Sequence, residues 1–205
     1  VSDPEFFRLQ PQTVLEPLDL ASAFGRSAPI EIDFGSGEGS FLLARAAQFP
    51  ERNFLGIERL LGRVRKTCRR AARAALPNVR ILRLESAYTV RYLLRPATIR
   101  AAHLLFPDPW PKRRHHPRRL FNATFAANLC EALEPGGELF LKTDDPEYFR
   151  QMLRVAGDET RLTPDHRPFP TDYPQTDFER HFLAEGKPIH SVKFQRTPAP
   201  IHPID

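Results

Sequence analysis

The segment Ile30-Glu31-Ile32-Asp33-Phe34-Gly35-Ser36-Gly37-Glu38-Gly39 decides how the rest of the chain is read. Its first five residues form a short strand pattern, and three glycines at alternate positions follow at once. Glycine lets a chain turn tightly and lets a ligand approach the backbone. Ser40 to Phe49 then carries Phe41, Leu42, Ala44 and Arg45 in a helical rhythm that stops at Pro50. Strand, glycine turn and helix in that order open a β–α unit.

The unit repeats outward. Asn53 to Ile57 is a second strand, closed by Glu58. Arg59 to Ala75 is helical, with Leu61, Val64, Cys68 and Ala71/Ala72 on one face and Arg63, Lys66, Arg70 and Arg73 on much of the other. Pro77-Asn78 breaks it, and Val79 to Leu84 makes a third strand before Glu85. A short helix near Ala87 to Leu94 leads to a fourth strand, Ile99 to Phe106. Leu120 to Leu133 is a further helix, Glu134-Pro135-Gly136-Gly137 a turn, and Glu138 to Lys142 a fifth strand. This alternation through residue 156 predicts an α/β fold: a doubly wound, mostly parallel sheet with helices on both faces. Lys187 to Arg196 reads as an antiparallel edge strand, the proline-rich 164–174 as a loop, and Tyr173 to Phe182 as a helix or turn. Residues 1–29 are expected to form an arm, 30–197 one domain and 198–205 a flexible tail.

The bulk properties narrow the class. A chain of 205 residues fits one domain with a full core. A net charge of +5 favours a nucleic acid or an anionic surface as partner. Cys68 and Cys130 lie far apart and build no CxxC or zinc pattern, so a reduced, cytoplasmic protein is expected. The sequence has neither an uninterrupted apolar 18-mer nor a signal-peptide pattern, so membrane spanning and export are not expected.

In a doubly wound sheet, ligands bind beyond the carboxyl ends of the strands. Asp33 with Gly35, Gly37 and Gly39 stands at the first such end, Glu58 at the second, Glu85 at the third and Asp108 at the fourth. A nicotinamide enzyme needs GxGxxG, whereas the third glycine here comes one residue earlier. Asp33 would also repel a pyrophosphate, but suits the cationic or amine part of another cofactor. The D-x-G-x-G-x-G pattern resembles the first motif of S-adenosylmethionine-dependent methyltransferases with this fold. Glu58 is well placed to accept hydrogen bonds from ribose hydroxyls. A turn that binds nothing is the plain alternative.

The fourth strand ends in Phe106-Pro107-Asp108-Pro109-Trp110-Pro111-Lys112-Arg113-Arg114-His115-His116-Pro117-Arg118-Arg119. Asp108 sits between two prolines beside the only tryptophan. Lys112, Arg113, Arg114, Arg118 and Arg119 read as phosphate contacts. Trp110 either stacks on a base or anchors the loop. The basic face between Arg59 and Arg73 either extends the footprint or is a solvated helix face. His103, His115 and His116 make no metal-binding spacing, so no metal is expected, and no phosphate-transfer motif accompanies Asp144-Asp145. Thr176 and Glu179 alone would be a helix cap and its box partner.

From about residue 30 to 197 the chain resembles the bacterial tRNA (guanine-N7)-methyltransferase family. The resemblance rests on Asp33 to Gly39, Gly56-Ile57-Glu58, Phe106 to His115, Lys142-Thr143-Asp144 and Thr176-Asp177-Phe178-Glu179, with the Phe-x-Asp-Pro-Trp block the most distinctive. It implies a class I, Rossmann-like methyltransferase that uses S-adenosyl-L-methionine. The implied substrate is N7 of guanosine 46 in the tRNA variable loop, with no membrane and no obligatory protein partner. It also implies cofactor contacts at Asp33, Glu58, Glu85 and Asp108, and substrate contacts at Lys112, Asp144, Thr176, Asp177, Phe178 and Glu179. Two positions depart from the family pattern. Glu85 stands where Asp or Asn is usual, and Pro117 where Lys or Asn is usual.

Guanine N7 carries a free lone pair and no proton, so methyl transfer there needs alignment and tolerance of positive charge, not a general base. Asp108 is therefore expected to orient guanine through its N1–H and amino group, and the base to be extruded to reach it. The competing readings are a class I methyltransferase acting on another RNA or another guanine atom, and a non-catalytic RNA-binding module with a vestigial pocket.

Overall fold

The structure is a computed structural model that describes residues 3–197; the tail expected at 198–205 lies outside them. A 3-10 turn at Pro4–Phe7 leads into β1 (Arg8–Leu9) and α1 (Leu20–Phe24). Then come β2 (Ile30–Phe34), α2 (Ser40–Gln48), β3 (Asn53–Ile57), α3 (Leu61–Arg73) and β4 (Val79–Leu82). The short α4 (Ser86–Tyr88) runs into one π-helical turn, Thr89–Leu93, before β5 (Ile99–Leu105). A 3-10 stretch at Arg113–Arg118 precedes α5 (Ala123–Ala132), β6 (Leu133–Thr143) and α6 (Pro146–Asp158). The chain finishes with β7 (Leu162–Asp165), α7 (Asp177–Ala184) and β8 (His190–Arg196).

All strands join one sheet in the order β1-β4-β3-β2-β5-β6-β8-β7. Pairings from β1 to β6 are parallel, and those of β8 with β6 and β7 are antiparallel. Every residue of β2, β3 and β4 is buried, because helices cover both faces of a parallel sheet. β3 and β4 are therefore short, mostly apolar runs, whereas β2 alternates Ile30, Ile32 and Phe34 with the buried acids Glu31 and Asp33. On one face α2 and α3 pack Leu42, Ala46, Val64 and Cys68 against Phe54 and Ile81. On the other, α5 and α6 supply Phe125, Leu129, Tyr148 and Met152. The chain leaves β2 toward β3 and β4, then returns to the far side of β2 as β5. The crevice of such a fold opens where this order reverses, at the carboxyl ends of β2 and β5.

Three segments add to the expected layout. Residues 3–29 contribute a strand: Arg8 and Leu9 pair with Ile81 and Leu82, and Phe7 is buried against α3. Arg80 holds this arm by donating to the Ala23 carbonyl, with Phe6 lying on its guanidinium. The expected loop at 164–174 begins inside a strand, because Pro164 belongs to β7 and pairs with Phe194. Proline lacks a ladder donor but is tolerated at a sheet edge, and β7 is the edge. The turn Glu134-Pro135-Gly136-Gly137 bulges from β6, whose register with β5 jumps from Ile99↔Leu133 to Ala101↔Glu138.

Candidate active site

The glycine turn is built by its own backbone. Gly35, Gly37 and Gly39 all take positive φ, where residues with a side chain are strained. The amides of Gly35 and Ser36 donate to the Ile57 carbonyl at 2.9 and 3.0 Å, tying the turn to the end of β3. Glu58 closes the arrangement: one carboxylate oxygen accepts from Gly37 N at 3.1 Å and the other from Leu60 N at 2.8 Å. Its position is thereby fixed, and each oxygen keeps a further lone pair. Gly39 lines no part of the cleft. It caps α2, and a Cβ there would lie 2.3 Å from the Thr67 side chain, so this glycine lets α2 and α3 approach rather than meeting a ligand.

Asp33 is the penultimate residue of β2, beneath the turn. It is buried, and no arginine, lysine or histidine pairs with it among the described residues. Burial, and then the charge of Glu58, push its carboxyl from the usual range up to about 8. Without a ligand, Asp33 is thus protonated at neutral pH; a cation delivered beside it would favour the ionised form.

Beneath Asp33 lies a hydrogen-bonded chain that the sequence did not disclose. Glu31 accepts from Arg45 at 3.0 Å, Arg52 at 2.6 Å and His103 Nε2 at 2.9 Å. Burial alone would raise the Glu31 carboxyl, but the bond and charge of His103, then Arg45 and Arg52, hold it below the carboxylate range. Burial keeps His103 below its own usual value despite Glu31. The tautomer consistent with this network is neutral: Nε2–H donates to Glu31 and Nδ1 accepts from the Tyr173 hydroxyl at 2.7 Å. Burial, followed by the charge of Asp33, raises Tyr173 well above its ordinary range and keeps it a donor.

Tyr173 anchors the segment that enters α7. Thr176 caps that helix by accepting from Glu179 N at 2.9 Å, the capping role its sequence alone allows. Glu179 is buried and accepts from Lys142 Nζ at 2.7 Å, while its second oxygen has no partner among the described residues. Lys142, itself buried, lies 5.0 Å from the ring centres of Phe169 and Tyr173. Asp177 pairs with Arg180, and Phe178 is half exposed.

Two adjoining cavities open over the sheet's carboxyl rim. The smaller, about 200 Å³, is lined by Asp33, Gly35, Gly37, Phe41 and the Thr176–Phe178 segment. The larger, about 410 Å³, is lined by Glu58, Arg63, Glu85, Asp108, Trp110 and Arg118. Gly35, Arg63, Leu105 and Phe178 border both, so one cleft runs from the glycine turn to the Asp108 loop. Asp108 is exposed at its mouth. Glu85 reaches the cleft but also caps α4, accepting from Tyr88 N at 2.7 Å. Lys112 and Asp144 border neither cavity.

The loop after β5 is backbone-strained and pinned by side chains. Phe106 and Trp110 both have positive φ, at 55° and 45°, rare for such bulky residues outside functional sites. Trp110 is half-buried, edge-on to His115 and 5.2 Å beneath the Arg118 guanidinium, while it borders the cleft. Arg119 corrects the expectation of a phosphate contact. It is 2% exposed, donates to the Pro109 carbonyl at 2.6 Å and to Gln151 at 2.8 Å, and packs over Tyr148. A side chain so enclosed holds the loop and cannot reach RNA. Arg113, Arg114 and Arg118 are exposed. No group of three or more potential ligands is placed to hold a metal among the described residues.

The parallel sheet, its glycine turn and the acids ranged along its carboxyl rim define a class I, Rossmann-like methyltransferase fold. A family described as "Putative methyltransferase" matches residues 27–192. Solved structures with this fold include the 16S rRNA methyltransferase KamB (TM-score 0.65, 16% identity, 89% of this chain and 95% of that one). The antibiotic-resistance methyltransferase Kmr is another (TM-score 0.60, 22% identity, 88% and 92%). The tRNA (guanine-N(7)-)-methyltransferase of Bordetella pertussis is 42% identical over 185 residues, covering 88% of this chain and 72% of that protein. That of Syntrophotalea carbinolica is 36% identical over 202 residues, covering 97% and 86%. The chain belongs to the tRNA (guanine-N(7)-)-methyltransferase family.

Proposed function

We propose that the protein transfers a methyl group from S-adenosyl-L-methionine to N7 of a guanosine in tRNA, guanosine 46 of the variable loop. The observation that carries the cofactor assignment is Asp33, a buried carboxyl without a cationic partner among the described residues, beside a glycine turn. Such a group fits the ammonium of the methionyl portion, and Glu58, fixed by two amides, fits the ribose hydroxyls. S-adenosyl-L-methionine supplies a methyl group on a sulfonium, already activated toward a nucleophile.

The nucleophile is a ring nitrogen without a proton, so no side chain has to accept one. Asp108 at the cleft mouth binds the N1–H and amino edge of guanine, turning N7 inward, and its charge offsets the positive charge that arrives on the base. Phe178 borders both cavities and provides an apolar wall at their junction. Glu179, with one oxygen that has no partner among the described residues, and Thr176 complete the substrate side through the α7 segment. Glu85, exposed and bordering the larger cavity, is assigned to the cofactor's far end, with one oxygen already committed to its helix cap. Lys112, Arg113, Arg114 and Arg118 contact the RNA backbone outside, and Asp144, the residue after β6, is assigned to the substrate side. The two cysteines are buried and unpaired, which suits the reducing cytoplasm; no helix among the described residues is long and apolar enough to cross a membrane. Partner proteins are not required for this scheme.

Labelled methyl transfer to unmodified tRNA, carrying either G46 or A46, tests it. We expect label at N7 in the G46 substrate alone. Equal labelling of both would overturn the positional assignment, and a wild-type Asp108→Asn profile would remove Asp108 from its role.

A further inference from the structure

The basic face of α3 carries more charge than a solvated surface requires. Arg63, Arg65, Lys66, Arg69, Arg70 and Arg73 stand on this one helix, which contains no acid. Like charges four residues apart repel, and Arg63 in the first turn opposes the helix dipole. Soluble helix faces usually mix the two signs.

Half of these cations are already occupied. Arg63 lies 3.8 Å from Glu58, Lys66 pairs with Glu38, and Arg70 donates to the Glu38 carbonyl at 2.7 Å. Arg65, Arg69 and Arg73 remain exposed and make no ion pair among the described residues. Their four-residue spacing sets them in one row of roughly 12 Å along the helix. The helix starts at the cleft: Arg59 and Arg63 border the larger cavity, as do Trp110 and Arg118 from the loop after β5. The row therefore extends outward from a cleft that already has cations on two sides.

We propose that Arg65, Arg69 and Arg73 form a second RNA-backbone surface, which holds tRNA phosphates on the α2–α3 face while the Arg113–Arg118 stretch holds them on the other. This rests on tRNA being the substrate. A membrane surface fits less well, because an interfacial helix must turn an apolar face to lipid. The apolar face of α3, Val64, Cys68, Ala71 and Ala72, is buried in the core.

The experiment compares the full chain with the Arg65→Gln/Arg69→Gln/Arg73→Gln variant in tRNA binding across a salt series. We expect affinity to fall at least about tenfold near 100 mM salt, and the log–log salt slope to shrink by about two to three. Cofactor affinity should be unchanged, with KM for tRNA raised and kcat kept. A short stem-loop bearing the target guanosine, too small to span both faces, should be methylated equally by both proteins. Equal affinity and salt slope on tRNA would overturn the inference, as would a loss seen only with phosphatidylserine vesicles. If the triple variant melts early, each single substitution should lower the slope by about one, and three unchanged slopes would overturn it equally. Wild-type protein that fails to methylate tRNA refutes the proposed function itself; wild-type activity with a variant that behaves identically refutes only the second surface.

Discussion

The two walls of the cleft are made rigid in opposite ways. The wall formed by β2, β3 and the glycine turn is held through its backbone amides: the Ile57 carbonyl accepts from Gly35 and Ser36, and the Glu58 carboxylate accepts from Gly37 and Leu60. The wall formed by the Phe106–Arg119 loop and α7 is held by buried polar side chains, Arg119 on Pro109, Lys142 on Glu179 and His103 on Tyr173. Backbone fixation suits a constant ligand that must be met identically in every turnover. Side-chain pins hold a wall that has to face a large, variable polymer, and each pin can be removed singly.

The largest expected effect is on the backbone-held wall. Asp33→Asn should leave the turn in place yet weaken cofactor binding by about ten- to a hundredfold, since a charge-assisted contact of about 1.5–3 kcal/mol is lost. The same substitution should help the ligand-free protein at alkaline pH. In the folded chain Asp33 keeps its proton to about pH 8, whereas the unfolded chain releases it near 4. The folded state therefore binds more protons between those values, and stability falls as pH rises through that window. Asp33→Asn should flatten the decline, worth on the order of a few kcal/mol by pH 8, measured as ligand-free denaturation against pH. A variant with the wild-type pH slope would show that Asp33 is ionised and partnered in some other way.

Next comes the side-chain-held wall. Arg119→Ala removes an enclosed cation and leaves the Pro109 carbonyl and Gln151 without their donor, so chemical denaturation should show a loss of about 3 kcal/mol. Its neighbour is the control: Arg118→Ala should barely change stability but should reduce the salt dependence of tRNA binding. Equal stability of the two variants would erase the contrast between the walls. Tyr173→Phe is expected to be the mildest, about 1 kcal/mol, because it deletes one buried hydrogen bond and keeps the ring against Phe140 and Phe41. If the α7 segment depends on that bond, KM should rise more than kcat falls.

The same division explains what the sequence reveals. Strands β3 and β5 are legible because burial on both faces leaves mostly apolar runs, β2 because the glycine turn follows it at once, and that turn because its backbone needs glycine. The pins are not. Arg118 and Arg119 are adjacent and identical in type, yet one is exposed and one enclosed, and only the path of the loop decides which. Lys142 reads as the polar end of a strand until Glu179, 37 residues later, is brought to it. Glu31 and His103 sit on strands, while their partners Arg45, Arg52 and Tyr173 come from three other segments. The strand β7 was hidden for a simpler reason, since a proline inside it signals a loop wherever the edge position is unknown.

That proline has a further consequence. An open sheet presents unpaired backbone groups at each margin, and these can recruit another chain into a growing aggregate. Here one margin is the two-residue β1, too short to template a partner, and the other is β7, where Pro164 interrupts the row of donors. The protein is thereby shielded at both margins from edge-to-edge polymerisation, so that its association with other molecules is directed to the charged rim instead of to the sheet.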